Sequence, residues 1–134
     1  MHWKSEYSIG IGVIDRQHEA IFEHMLAVEN SLAKQDPWHI VHFLIRELEL
    51  YMSFHFAVEE ALLQLIGYPE LGGHQASHAR LIEAIANLEE KIKDSGSTAS
   101  LVEFFEDWFV SHVLSSDRSY VKYVTERLGR LAGE

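Results

Sequence analysis

Histidine and acidic side chains recur at a spacing of four in one stretch of this chain. The segment HFAVEEALLQLIGYPELGGHQASH contains His-x-x-x-Glu, formed by His55 and Glu59, and His-x-x-x-His, formed by His74 and His78. Residues four apart lie on the same face of a helix. Imidazole and carboxylate groups are common metal ligands, so each pair is a candidate half of a metal site.

Two more histidines and one acid extend this set. His18 lies near the start of the chain, and His112 is followed five residues later by Asp117. Five residues turn a regular α-helix about 140° past a full circle, which would point Asp117 away from His112. We therefore expect the helix to bulge or break there, and Ser115-Ser116-Asp117 has the polar composition that ends one helix and starts another.

Glycine, proline and capping residues divide the chain into helical segments. Asp15 is the expected cap of the first helix, Asp36 and Pro37 open the second, Gly67 ends it, and Ser97 or Thr98 caps the fourth. The predicted helices span residues 15–34, 37–66, 74–94, 99–114 and 118–131. Residues 1–13 alternate apolar and polar side chains without a second strand to pair with, and we expect them to pack as an extended cover.

The predicted fold is all-α, a single domain over residues 1–134. It consists of an up-down-up-down four-helix bundle (15–114), an N-terminal arm (1–13) and a short C-terminal fifth helix (115–134). Each of the four bundle helices carries histidine on its core-facing apolar stripe. Short loops make neighbouring helices antiparallel, so these positions fall at the same end of the bundle.

A lone histidine on an apolar stripe is more often a hydrogen-bonded core residue than a metal ligand. Five histidines and two carboxylates buried together are different, because leaving them without a metal would cost several kcal/mol each. We therefore predict a metal site. The remaining histidines are expected at the surface: His2, His24, His39 and His42.

Composition narrows the class of protein. The chain has no cysteine, which excludes disulfides and thiolate sites, and its formal net charge of −10 disfavours nucleic acid and anionic lipid as partners. No run approaches the roughly 18 apolar residues of a membrane span. We expect a cytoplasmic protein without membrane insertion; the oligomeric state stays open, with a monomer favoured.

The order of these motifs resembles the hemerythrin family, in its single-domain bacterial form. A histidine in the first helix, then His-x-x-x-Glu, His-x-x-x-His and His-x-x-x-x-Asp, occurs in that order and covers nearly the whole chain. Flanking features are also similar: Asp15-Arg16-Gln17-His18, Gly67-Tyr68-Pro69, Trp108 and Tyr120. One departure is Phe109, where the family commonly carries a smaller aliphatic side chain.

The resemblance implies a pair of iron ions and assigns their ligands. His74, His78 and His112 would hold one iron, and His18 and His55 the other. Glu59 and Asp117 would bridge both. With one bridging oxo or hydroxo group, this set fills eleven of the twelve positions around two octahedral ions and leaves one open. Such mixed imidazole and carboxylate donors suit iron or manganese, and would overfill tetrahedral zinc.

An open position on one of two irons favours reversible O2 binding for storage, delivery or scavenging. We therefore expect a protein that is not an enzyme. Azide, nitric oxide and other small anions or gases are expected to compete. Apolar side chains should exclude water from the gas pocket. The candidates are Ile21, Phe22, Phe56, Leu62, Trp108 and Phe109.

Two other classes remain open. A di-iron oxidase of the ferritin-like kind uses four carboxylates and two histidines, the opposite balance, although peroxidase or nitric-oxide chemistry at the same irons is compatible with this set. An oxygen-sensing or iron-handling module is the third class, and the chain has no room for a signalling domain.

Overall fold

The computed structural model describes residues 3–95 and 98–133, and over these residues it is helical without strands. His2, Gly96 and Ser97 lie outside the described residues. A 3-10 turn precedes six helical segments, which in chain order are α1 (Gly12–Ala33), α2 (Trp38–Leu65), α3 (Leu71–Ser95), α4 (Ala99–Phe105), a π-helix (Glu106–Asp117) and α5 (Arg118–Gly133). The predicted all-α fold is confirmed.

Consecutive helices pack against one another around a single core. α1 packs on α2, α2 on α3, and α3 on α4 and the π-helix. The connections between the first three helices are only four and five residues long, so neighbouring helices run antiparallel, as expected for a helical bundle. Large aliphatic and aromatic side chains fill the centre, among them Ile14, Met25, Ile45, Leu48, Met52, Ile85 and Trp108.

α1 begins three residues earlier than predicted, and Asp15 is therefore not its cap. The Asp15 carboxylate instead accepts hydrogen bonds from the residues just before the helix: from Ile9 N at 2.8 Å, Gly10 N at 3.1 Å and Ser8 Oγ at 2.6 Å. Gly10 has a φ of +94°, a conformation that glycine adopts without steric cost. Asp15 thus ties the arm to the first turn of α1.

The remaining boundaries of the first three helices shift by one to three residues, whereas the fourth and fifth helices begin at Ala99 and Arg118 as predicted. α2 begins at Trp38 with Pro37 as its cap, because the Asp36 carboxylate accepts a hydrogen bond from Ser31 Oγ at 2.7 Å instead of capping the helix. Gly67, with a φ of +70°, follows the end of α2 as predicted. α3 begins at Leu71, three residues before its predicted start, so Gly72 and Gly73 lie in its first turn.

The fourth helix neither breaks nor ends at residue 114. α4 passes directly into the π-helix Glu106–Asp117, which passes directly into α5. Of the two alternatives at Asp117, the structure thus adopts the bulge, and the Ser115-Ser116-Asp117 stretch does not start a new helix. Thr98 precedes α4 but makes no capping hydrogen bond with its side chain.

The N-terminal arm packs on the bundle as predicted. Ile9 is buried, and the Trp3 and Tyr7 rings lie 5.7 Å and 4.5 Å from the Phe109 ring. Arg118 of α5 donates a hydrogen bond to the Glu6 carbonyl at 2.7 Å, which joins the arm to the other end of the chain. The arm therefore covers the aromatic side of the bundle.

None of the helices in the described part of the chain is both long enough and apolar enough to cross a membrane.

Candidate metal centre

The structure brings all seven predicted ligands into one buried cluster at one end of the bundle. Each has an exposed fraction of 5% or less. α1 supplies one residue, α2 two, α3 two and the π-helix two: His18, His55, Glu59, His74, His78, His112 and Asp117. Their donor atoms fall into two overlapping groups within 4.8 Å, one of five residues and one of three, which share Glu59.

The π-helix accounts for the pairing of His112 with Asp117. An α-helix would turn these residues away from each other, whereas the wider π-helical turn, with bonds from residue i to i+5, returns position i+5 to the same side. The result is a separation of 3.1 Å between His112 Nε2 and Asp117 Oδ1.

Glu59 presents one oxygen to each of two sets of histidines. Its Oε1 lies 2.6 Å from His74 Nε2 and 2.9 Å from His78 Nε2, while its Oε2 lies 3.5 Å from His55 Nε2. We call His74, His78 and His112 the three-histidine group, and His18 and His55 the two-histidine group.

Asp117 divides its oxygens in the same way. Its Oδ1 lies 3.0 Å from His74 Nε2 in the three-histidine group, and its Oδ2 lies 3.5 Å from His18 Nε2 in the two-histidine group. Within the latter group, His18 Nε2 and His55 Nε2 are 3.1 Å apart. Both carboxylates therefore lie between the two groups of imidazoles.

These separations match the coordination shell of a metal ion. Donor atoms bound at right angles, with metal–nitrogen bonds of about 2.1 Å, lie about 3 Å apart. In addition, His78 Nε2, His112 Nε2 and both Asp117 oxygens are buried without a hydrogen-bond partner. Buried polar atoms are rarely left unpaired, and metal ions held by the two groups would satisfy all four. The residues present fit a metal ion.

The carboxylates of the cluster are ionised. Burial and the charge of Asp117 raise the pKa of Glu59, but its close contacts with the imidazoles of His74 and His78 outweigh them and lower it to about 2. Burial likewise raises the pKa of Asp117, yet its contacts with His112, His18 and His74 bring it well below its usual value. The cluster thus offers two negative charges to a cation.

The pKa shifts in opposite directions for one imidazole of the two-histidine group and one of the three-histidine group. Burial is the main cause that lowers the pKa of His55, to about 4, so this ring is neutral and keeps a free lone pair. Burial also lowers the pKa of His74, but its contacts with Asp117 and Glu59 raise it to about 9. In the metal-free protein, His74 Nε2 therefore donates to Glu59 Oε1, and a metal ion would replace that proton.

Three hydrogen bonds hold the outer nitrogens of the ligand rings. His55 Nδ1 donates to Gln17 Oε1 at 2.7 Å and His78 Nδ1 donates to Glu60 Oε2 at 2.8 Å. His112 Nδ1 is hydrogen bonded to Ser77 Oγ at 3.1 Å. Such bonds fix the ring orientation and leave the inner Nε2 free to bind a metal. His18 Nδ1, by contrast, is buried without a partner.

The sequence interpretation did not assign roles to Gln17, Glu60 and Ser77. Each is the chain neighbour of a ligand, so the sequence does hold a signal. Adjacency does not identify the contact, however, because Gln17 bonds to His55 of α2 and Ser77 to His112 of the π-helix.

Tyr120 contributes a further polar contact. Its hydroxyl donates to Glu59 Oε2 at 2.9 Å. Burial, together with the charges of Glu59 and Asp117, raises the pKa of Tyr120 far above its ordinary value, so the hydroxyl keeps its proton. Tyr120 thereby fixes the Glu59 oxygen that faces the two-histidine group.

Aromatic rings border the two-histidine group. The rings of Trp108 and Phe109 lie 5.8 Å and 6.2 Å from the His18 ring, and both are fully buried. Phe56 instead stacks flat on His78, at 3.9 Å and an angle of 8°, and also lies 5.7 Å from His55. Phe56 therefore reaches both groups.

The other three candidate pocket residues are apolar, and their contacts are with residues outside the ligand cluster. Phe22 is buried and packs on Phe105 at 5.6 Å and Trp3 at 6.1 Å. Ile21 is fully buried in the core, and Leu62 is partly buried against it.

Histidines outside the cluster lie toward the surface. His39 and His42 are exposed, and His42 is hydrogen bonded to Glu89. His24 is half-buried, and its ring lies 5.2 Å from that of Tyr51. Among the histidines that the structure describes, the cluster therefore contains the five expected in it and no other.

Known proteins match this chain along most of its length. The sequence profile of the hemerythrin HHE cation binding domain matches residues 9–124. A bacteriohemerythrin of Clostridium acetobutylicum is 31% identical over 89% of this chain and 97% of its own length. A bacteriohemerythrin of Stenotrophomonas maltophilia is 29% identical over 98% and 86%, and one of Methylococcus capsulatus is 28% identical over 90% and 93%.

A helical bundle with histidines and carboxylates at one end thus coincides with a family match over most of the chain. The chain belongs to the hemerythrin family of HHE cation-binding domains. The relatives that it resembles at this level carry the name bacteriohemerythrin.

Proposed function

We propose that this protein binds O2 reversibly at two iron ions. The three-histidine group would hold one iron and the two-histidine group the other, with Glu59 and Asp117 bridging them. The observation that carries this proposal is the division of each carboxylate, one oxygen toward each group, at separations of 2.6–3.5 Å from the imidazole nitrogens. A single-ion site would not need both oxygens of both carboxylates.

Bound ferrous ions would supply the two electrons that O2 takes up on binding and returns on release. The open position would belong to an ion held by the two-histidine group, because that group offers one nitrogen donor fewer. Its surroundings suit an uncharged gas, since the Trp108 and Phe109 rings lie close to His18 and both are fully buried.

The chain itself protects such a site in two ways. The aromatic rings around His18 keep out water and protons, which convert an oxygenated iron pair to the inactive ferric form. The hydrogen bond that His55 donates to Gln17 and the one that Tyr120 donates to Glu59 hold His55 and Glu59 in place, so these side chains would stay oriented when the open position is empty.

The donor set argues against an oxidase. Oxidative di-iron proteins use four carboxylates and two histidines, whose negative charge favours high oxidation states of iron. Here two ionised carboxylates accompany five imidazoles. This balance suits reversible binding in storage, delivery or scavenging of O2.

The test is an optical spectrum of the reduced, iron-loaded protein before air, after air, and after removal of the gas. We expect a charge-transfer band that appears on oxygenation and fades under vacuum through repeated cycles. Zinc-loaded protein is the control and should show no band. Irreversible bleaching in one cycle, or steady O2 consumption in the presence of a reductant, would overturn the proposal and favour an enzyme.

A further inference from the structure

The outer face of α2 is apolar. Among the described residues, the large hydrophobic side chains with substantial exposure include five on this helix. Their exposed fractions are 38% for Ile40, 58% for Phe43, 59% for Leu50, 52% for Phe54 and 83% for Leu65.

These side chains form one stripe, opposite the core. Ile40, Phe43, Leu50 and Phe54 follow each other at spacings of three, seven and four, which is the heptad pattern of a coiled-coil seam with the charged Glu47 at the position between Phe43 and Leu50. Exposed Ala57 and Ala61 continue the pattern toward the end of α2. We call the residues Ile40, Phe43, Leu50, Phe54, Ala57 and Ala61 the outer seam. A helix that is apolar on both faces is normally covered on both.

We propose that the outer seam binds a second copy of this chain. The two α2 helices would pair antiparallel about a two-fold axis beside Ser53, and the iron clusters would face away from the contact. The proposal does not rest on O2 binding. It departs from the monomer that the sequence analysis favoured while leaving the oligomeric state open.

Side-chain sizes fit this arrangement. With the axis near Ser53, Leu50 of one copy lies across from Phe54 of the other, and Phe43 lies across from Ala61. Each large ring thus meets a smaller side chain, as required for side chains of two helices to interlock. The symmetry repeats each of these contacts once.

Charges fit the antiparallel arrangement and oppose the parallel one. In the same register Arg46 of one copy faces Glu60 of the other, twice by symmetry. The Arg46 side chain is 52% exposed and pairs with Glu49 at 3.6 Å, and the Glu60 side chain is 27% exposed and accepts from His78 through Oε2, so Arg46 would meet Glu60 through Oε1. A parallel pair in register would instead place Arg46 beside Arg46 and, within the seam, Glu47 against Glu47. The antiparallel register sets Glu47 against Ala57, which avoids that contact of like charges.

The contact is narrow, so the dimer should be weak. α2 has 28 residues and is therefore about 42 Å long, which offers one helix-wide strip per copy. Interfaces of this small class are typically transient. The net charge of −10 on each copy adds repulsion, so moderate salt should strengthen the association.

Sedimentation equilibrium of the iron-loaded full chain tests the proposal. From about 1 to 500 µM, we expect the mass to rise from 15.4 kDa toward twice that value. Leu50→Asp should weaken association at least tenfold. The matched control is Val102→Asp, which changes another exposed apolar side chain, on α4, and should leave association unchanged. A monomer at every concentration, or a dimer unaffected by Leu50→Asp, would overturn the proposal.

Charge reversal and cross-linking test the register. Arg46→Glu should weaken the dimer, whereas Arg80→Glu, the same change on α3, should not. The chain has no cysteine, so a single Ser53→Cys variant should cross-link to itself with a short bismaleimide. His39→Cys should not, because an antiparallel pair separates the two copies of this position by about 40 Å. Cross-linking of both variants alike would contradict the antiparallel pairing.

Co-sedimentation with phosphatidylcholine vesicles tests whether a lipid surface, instead of a second copy of the chain, covers the outer seam. We expect the wild-type chain to stay in the supernatant. Binding to the vesicles that is lost in Leu50→Asp, together with a monomer in solution, would assign the outer seam to a lipid surface and overturn the dimer.

Discussion

The proposed ligand histidines differ in the hydrogen-bond acceptor of their outer nitrogen, Nδ1. His78 donates to the carboxylate of Glu60, His55 to the neutral amide of Gln17, and His18 Nδ1 has no partner. A carboxylate acceptor makes an imidazole a stronger electron donor. The three-histidine group should therefore hold its ion more tightly than the two-histidine group, which suits the side proposed to stay open for O2.

Removing the Glu60 carboxylate should loosen the iron of the three-histidine group. Glu60→Gln keeps the shape but replaces the charged acceptor, and we expect iron affinity to fall about 10–100-fold. The measurement is the rate of iron loss to a chelator. Glu83→Gln, the same change at an exposed position on α3, is the control. Equal rates in both variants would contradict the role of Glu60.

Loss of single ligands should affect the two ions unequally. His55→Ala removes a donor from the two-histidine group, and we expect O2 binding to be abolished while metal remains at the three-histidine group. Glu59→Ala should be worse, because it removes a bond to both ions and leaves buried charge unbalanced. Metal analysis and the optical spectrum decide this. If both variants keep two irons and bind O2 normally, the ligand assignment is wrong.

Phe109 should protect the oxygenated protein. The ring is fully buried 6.2 Å from that of His18. Phe109→Ala leaves a cavity, at a stability cost of about 3 kcal/mol. We expect faster autoxidation and faster azide binding, both measured by stopped-flow and by decay of the oxygenated band. Phe104→Ala, a buried aromatic farther from the cluster in sequence, controls for destabilisation alone. Unchanged rates in Phe109→Ala would place the ring outside the gas pocket.

At the scale of elements, periodicity and spacing predicted the helices, while capping chemistry was predicted less well. Asp15 and Asp36 were expected to cap helices because aspartate favours that position, but each carboxylate accepts other hydrogen bonds. Neither contact can be read from local preference, since it depends on how the chain folds back.

The π-helix is another feature that the sequence did not predict uniquely. The five-residue spacing of His112 and Asp117 required an irregularity, and a bulge or a break satisfied it equally. Ser115 and Ser116 favoured a break on composition. The continuous helix that the structure contains keeps the backbone hydrogen bonded between α4 and α5, an advantage that composition does not reveal.

The arm depends on Asp15 for its attachment. Asp15→Ala removes the acceptor for Ile9 N, Gly10 N and Ser8 Oγ, and we expect a loss of about 1–3 kcal/mol in stability. Release of Trp3 and Tyr7 from Phe109 should also speed azide binding. Asp94→Ala, at an exposed position on α3, is the control. Azide kinetics equal to the wild type would show that the arm does not guard the site.

At the scale of the whole molecule, the antiparallel bundle is what brings the seven ligands together. They come from the first turns of α1, the second half of α2, the start of α3 and the π-helix, separated by up to 99 positions in sequence (from residue 18 to residue 117). The sequence predicted that all seven proposed ligands would meet at one end of the bundle, because the alternation of helix direction is simple. Sequence reasoning overlooked the outer seam, because attention to core-facing stripes ignores the opposite face.

The central claim is that these side chains hold two irons bridged by two carboxylates. Iron analysis combined with X-ray absorption at the iron edge tests it most directly. We predict two irons per chain, an iron–iron distance of about 3.5 Å, and a first shell of nitrogen and oxygen around six-coordinate ions. One iron per chain, no iron neighbour within 5 Å, or a tetrahedral zinc site in protein loaded with both metals would contradict it.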